Sequence, residues 1–264
     1  MEVIEVKSSK DIKEFINLPV RLYKDESNWI RPLDKDIEGV FNPLKNKTFK
    51  YGECIRWIVR DGGQTVGRVS AFVNSKTANK DNEQPTGGIG FFESVDNQDV
   101  ANLLLDTCKT WLTGKGMEAM DGPINFGDRD KWWGLLIDGF NIQPNYKCNY
   151  NFPYYQQLLE NYGFQLYFKQ FTFIRNTFDP FDPRIMKKSE MLNEDPDYSF
   201  EHMKLKKLKK YANDFRLVYN KAWTNHDGVA EMTEEQADSI MRQMKPIIDE
   251  KIIWFAYYKG DPVA

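Results

Sequence analysis

The sequence predicts a mixed α/β (α+β) fold, with helices on both faces of a central sheet and the beginning of a second, similar unit behind it. Three stretches carry that expectation. IRWIVRDGGQTVGRVSAFV (55–73) has the apolar pattern of two strands around a tight turn, and DNQDVANLLLDTCKTWLTGKG (96–116) spaces its apolar residues as a helix does. IIWFAYYKGDPVA (252–264) then nearly repeats the opening of the first stretch.

Taken in order, EVIEV (2–6) is strand-like, and Ile12, Phe15, Ile16 and Tyr23 follow at helical spacing behind a serine cap. Pro19 is expected to kink or interrupt that helix. A loop rich in Pro, Asn and Lys leads into the hairpin, where Asp61-Gly62-Gly63 supplies the positive φ angles of a tight turn. GGIGFFESV (87–95) is a further strand. In the helix behind it Val100, Leu103, Leu104, Cys108, Trp111 and Leu112 form one stripe, with Asp96 or Asp99 as cap and Gly114 or Gly116 as stop. MEAMDGPINF (117–126) returns as a strand, and YNFPYYQQLLENYGF (150–164) as a short helix with Tyr155, Leu158, Leu159 and Tyr162 inward. QLYFKQFTFIRN (165–176) is expected to close the unit as a strand.

Residues 178–197 have linker composition, with prolines and acids and no sustained period. Beyond them the order restarts: strand YSFEHMK (198–204), a helix over 204–223, a helix over 233–249 with Thr233 and Gln236 as capping box, then the final strand phrase. The five lysines of KLKKLKK (204–210) are read as the solvated face of a helix whose apolar stripe includes Leu205, Leu208, Ala212 and Phe215. An offset of 197 lays Trp254 over Trp57 and residues 198–204 over 1–7, which favours duplication. The expected organisation is therefore a complete unit over 1–177, a linker over 178–197, and the incomplete N-terminal part of a second unit over 198–264. The chain is expected to be part of a longer polypeptide.

A net charge of -3 and a pI near 5.6 give no global reason to bind nucleic acid or an anionic membrane, and neither is expected as a partner. No uncharged run approaches the roughly 18 residues of a membrane span, and the first residues lack the apolar core of a signal peptide. A cytoplasmic protein is expected. Cys54, Cys108 and Cys148 are odd in number and far apart, so no disulfide framework or metal site is expected. His202 falls in a strand and His226 in a turn, both read as surface positions.

The order of elements, with DGPINFGDRDKWWGLLIDGF (121–140) and YNFPYYQQLLENYGF (150–164) in place, resembles the GNAT acyltransferase superfamily, in particular its tandem-domain bacterial members. The resemblance implies a mostly antiparallel twisted sheet whose fourth strand splays from the fifth, and acetyl-CoA or another acyl-CoA as cofactor of the full-length protein. It implies an acceptor that is an amine or other small molecule, N-acyltransferase activity, and a glycine-rich loop that seats the pyrophosphate on a helix N-terminus. Here that loop is ESVDNQDVANLL (93–104), with Glu93, Asp96 and Asp99 and no glycine. Acids repel a pyrophosphate and side chains keep the backbone away, so no cofactor is expected in the first domain. The tyrosine acid of the superfamily falls on Leu159, which cannot donate a proton, and the catalytic residues are left open.

The candidate ligand site is INFGDRDKWWG (124–134), where Asp128 and Arg129 stand beside Trp132 and Trp133 at the end of a strand. Asn125, Asp128, Arg129, Trp132, Trp133 and Tyr154 are its candidate contacts, suited to an anionic or planar ligand or to a partner surface. A loop of mutually paired charges whose tryptophans cover the core fits the pattern as well, since every charge has an opposite neighbour. An acyltransferase with this chain as noncatalytic first domain and a nonenzymatic binding or interaction module both remain open, as does a homodimer.

Overall fold

The structure is a computed structural model that describes residues 1–80, 82–127, 131–223 and 231–264, in two compact units, Met1–Phe171 and Thr172–Ala264. Asp128, Arg129 and His226 lie outside the described residues.

In the first unit, β1 (Glu2–Glu5), β2 (Gly52–Asp61), β3 (Gln64–Asn74), β4 (Thr86–Ser94) and β5 (Ala119–Asp121) form one sheet in that order. The first four pair antiparallel, while β5 runs parallel to β4. This is the mostly antiparallel sheet that the resemblance implies; the parallel last pair was not part of that expectation. Gly62 and Gly63, at φ 54° and 84°, make the β2–β3 turn with backbone angles that side chains resist. The register slips between Arg68 and Ser70, so β4 carries an extra residue there and Phe91 takes φ 50°.

Helix α1 (Ser9–Leu22) starts on a capping box between Ser8 and Asp11 and runs uninterrupted through Pro19, contrary to the expected break. Pro19 stands in the last turn, where little helix remains to lose, and it is buried. A second helix, α2 (Asp34–Val40), stands where only a loop was expected; its seven residues bury Ile37 and Val40, too few for a periodic signal. These two helices cover one face of the sheet around Phe15, Ile58 and Phe72. The other face is covered by α3 (Gln98–Gly114) and α4 (Tyr154–Tyr162), with Trp57, Val59, Leu104, Leu105 and Leu158 in its core.

The expected strand over 165–176 is not formed: no strand among the described residues includes it, and Tyr167, Phe173 and Ile174 are 76%, 89% and 82% exposed. A strand needs an edge to pair with, and β5 offers only three residues. The expected linker holds a helix, α5 (Pro183–Glu194), begun by Asp182 and by Pro183 in its first turn, with no buried residue.

The second unit contains β6 (Tyr198–His202), α6 (Leu208–Trp223), α7 (Glu234–Met244), β7 (Trp254–Tyr258) and β8 (Asp261–Pro262). Its three strands pair antiparallel in that order. The internal repeat extends to hydrogen-bond register. Glu5 faces Trp57 and His202 faces Trp254; Val3 faces Val59 and Phe200 faces Ala256, all at the offset of 197. Met203, Tyr211, Ala237, Phe255 and Tyr257 build its core. Lys210 of the lysine run is not merely solvated, since it meets Asp214 at 3.2 Å and the Tyr257 hydroxyl at 2.6 Å.

Candidate functional site

Two charges are buried side by side in the sheet of the first unit. Arg68 on β3 and Glu93 on β4 are cross-strand partners immediately beyond the register slip, and they are 4% and 8% exposed. Arg68 Nη2 donates to Glu93 Oε1 at 3.2 Å, and Nη1 donates to the Phe15 carbonyl at 2.7 Å. The other carboxylate oxygen accepts from two phenols, Tyr23 at the end of α1 and Tyr155 in the first turn of α4, each at 2.7 Å. The Ser94 amide in turn donates to the Tyr155 oxygen at 3.1 Å. One cluster thus ties together α1, β3, β4 and α4.

Burial raises the Glu93 carboxyl above its ordinary range, with Arg68 and the two hydroxyls opposing it. Burial, reinforced by the Glu93 charge, raises both phenols, so Tyr23 and Tyr155 act as fixed hydrogen-bond donors. Desolvation lowers Arg68 against the pull of Glu93. The network is nearly closed, but Arg68 Nε is buried with no hydrogen-bond partner.

Beside this cluster lies a crevice of about 50 Å³ bounded by Trp29, Ile37, Arg68, Glu93, Trp132 and Tyr150. An opening with this much space holds several waters. Aromatic rings fill the space around it: Tyr23 stacks on Trp29 at 5.2 Å and on Phe152 at 4.6 Å.

The candidate residues read from the sequence scatter around this centre. Trp132 lines the crevice, 6% exposed, and its ring meets Phe91 at 5.4 Å. Trp133 is half-buried beside it. Asn125 is 3% exposed with an unpartnered Oδ1, yet it does not line the crevice. Tyr154 neighbours Tyr155 but turns its hydroxyl to the Ser94 carbonyl at 2.7 Å. The sequence reading placed Tyr23 and Tyr155 on helix stripes and Glu93 in an acidic turn, did not name Arg68, and made none of the four a site candidate. The signal available was a charge inside each of two apolar strands, in TVGRVSAF (65–72) and GFFESV (90–95).

The turn between β4 and α3 needs one correction. Glu93 does not stand among the acids at the helix start, because it points inward and pairs with Arg68. Asp96 and Asp99 remain there, both exposed. The cap is neither of them but Asn97, whose Oδ1 accepts from the Asp99 amide at 2.8 Å and the Val100 amide at 3.2 Å. Two amides that could seat an anion are therefore occupied by the chain's own side chain. Leu159 is 3% exposed within the core. Among the described residues no cluster of His, Cys, Asp and Glu could hold a metal ion, and no helix is long and apolar enough to cross a membrane.

No known protein-family profile matches the chain. The bacterial ceramide synthase of Caulobacter vibrioides is 24% identical over 261 residues, which cover 99% of this chain and 67% of that protein. Protein YghO of Escherichia coli is 23% identical over 258 residues, 97% of this chain and 65% of its own length. The chain thus spans about two thirds of the length of these curated relatives. Acetyltransferases are among the solved structures it resembles. One is the aminoglycoside acetyltransferase AAC(6')-Iy with a bisubstrate analogue, at a TM-score of 0.40 and 12% identity, covering 66% of this chain and 97% of that one.

Proposed function

We propose that this chain belongs to an acyl-CoA-dependent N-acyltransferase in which the first unit is a noncatalytic acyltransferase-like domain and the coenzyme binds outside that unit. The observation that carries the reading is the start of α3, where Asn97 occupies the amides and Asp96 and Asp99 flank them. A helix N-terminus attracts a pyrophosphate only while its amides are open and its surroundings are not anionic. The ceramide synthase name of the Caulobacter relative supports transfer to an amine, since a ceramide is an N-acylated long-chain amino alcohol. In that transfer the amine nitrogen bonds to the thioester carbonyl carbon, the C–S bond breaks, and the thiolate leaves with the proton that the amine gives up.

Calorimetric titration of acetyl-CoA into this chain tests the domain assignment, with no saturable heat expected. Thiol release from acyl-CoA in the presence of long-chain amines, measured on the longest natural form, tests the activity. Saturable binding by this chain that weakens when Asn97 or Asp99 is replaced would overturn the noncatalytic assignment. A second reading, a nonenzymatic ligand-binding or protein-interaction module, draws on the buried and unpartnered Asn125 Oδ1. Absence of thiol release from the longest form would favour it.

A further inference from the structure

In the second unit one face of the sheet carries an aromatic surface. Tyr198, Phe200 and His202 of β6 share this face with their partners Tyr258, Ala256 and Trp254 of β7. Phe200, Trp254 and Tyr258 are 45%, 56% and 37% exposed, whereas Phe255 and Tyr257 on the opposite face are 5% and 6% exposed. The aromatic residues already pack on one another: Tyr198 lies 4.9 Å from Tyr258, and His202 lies 3.7 Å from Trp254. His202 Nδ1 is buried there without a hydrogen-bond partner. The second-unit core includes neither Phe200 nor Trp254.

The first unit shows what covers such a face. At the same register and the offset of 197, Val3, Glu5, Trp57 and Val59 occupy the positions of Phe200, His202, Trp254 and Ala256. There Trp57 is 7% and Val59 0% exposed, and the cover is α3. Leu104, Leu105, Cys108 and Leu112 of that helix share a core with them, and its Trp111 meets Trp57 edge-on at 6.3 Å. About a third of the length of each curated relative lies outside the portion matched here.

We propose that the face formed by Phe200, Trp254 and Tyr258 is a docking surface for one amphipathic helix of α3 chemistry, with an aliphatic stripe and a tryptophan near its C-terminal end. The docked helix removes the aromatic rings from water, and that apolar burial drives the association. The inference rests on the repeated register and is independent of the acyl-transfer reading, so either can fail alone.

The probe is a fluorescein-labelled peptide of residues 97–115, the α3 sequence, titrated against the whole chain by fluorescence anisotropy under reducing conditions. Saturable binding is expected. The double variant Phe200→Ser, Trp254→Ser should weaken it at least tenfold, with far-UV circular dichroism unchanged because both side chains are largely exposed. Trp254→Phe, which keeps an aromatic ring, should retain most of the affinity and guards against a folding defect in the double variant. Absent binding, or equal binding to the parent and the double variant, would overturn the proposal. So would self-association in sedimentation that the double variant abolishes while the peptide does not bind; that result would assign the face to a second copy of the chain.

Discussion

Glu93 shows how much one side chain can hold together. Its two oxygens serve Arg68, Tyr23 and Tyr155, so an apolar replacement leaves a buried guanidinium and two phenols without their acceptor. Removing one member of a buried ion pair costs ~3–5 kcal/mol, and Glu93→Leu is expected to lower urea stability by about that amount. Glu93→Gln differs, because it keeps an acceptor oxygen and imitates the protonated acid. Burial raises the Glu93 carboxyl above 4.5, so the folded chain binds this proton more tightly than the unfolded chain. Between about pH 4.5, the unfolded value, and the higher folded one, that contribution to stability is lost as pH rises. Relative to the parent, Glu93→Gln should therefore gain stability from pH 4.5 towards neutrality. Urea midpoints of the three proteins across that range test both statements; a cost for Glu93→Leu under ~1 kcal/mol would mean the cluster is not desolvated.

At the level of elements, the junction of β4, β5 and α3 decides what the first unit can bind. Asn97→Ala removes the cap of α3 and is expected to cost about 1 kcal/mol in thermal or urea unfolding. It should not create acetyl-CoA binding, because Asp96 and Asp99 stay at the helix start. Gly90 is needed where the chain leaving β5 crosses β4: a Cβ there would sit 2.0 Å from the Ile124 carbonyl oxygen. Gly90→Ala must push that backbone aside, at ~1–3 kcal/mol for overpacking, and a loss well below this in urea unfolding would show that the crossing yields easily. The major elements of this junction were legible in the sequence. The α3 stripe is long and periodic, and Asp-Gly-Gly marks the hairpin, because both signals are local. What was not legible depends on distant partners. Arg68 and Glu93 meet only after a register slip that no local pattern announces. The aromatic run over 165–176 alternates like a strand, but whether it becomes one depends on an edge elsewhere.

For the molecule as a whole, the repeat was the most legible feature, since the offset of 197 that aligns Trp254 with Trp57 also aligns their cross-strand partners. Each unit carries its own core. The clusters around Leu104 and Phe15 lie within Met1–Phe171, and the cluster around Tyr211 lies within Thr172–Ala264. A unit that buries its own apolar residues and closes its own ion pairs should unfold as one cooperative step without the rest of the chain. The fragment 1–171 is therefore expected to unfold in a single urea transition, with the midpoint of the matching phase in the intact chain. Trp57 and Trp132 report this through fluorescence, since both are buried in this unit, at 7% and 6% exposed. The second unit buries far less, and its aromatic face is unfavourable in water. The fragment 172–264 should accordingly bind the dye ANS, whereas 1–171 should bind little. Loss of the cooperative transition in 1–171 would mean that its core depends on residues beyond Phe171, and the independence of the two units would fall with it.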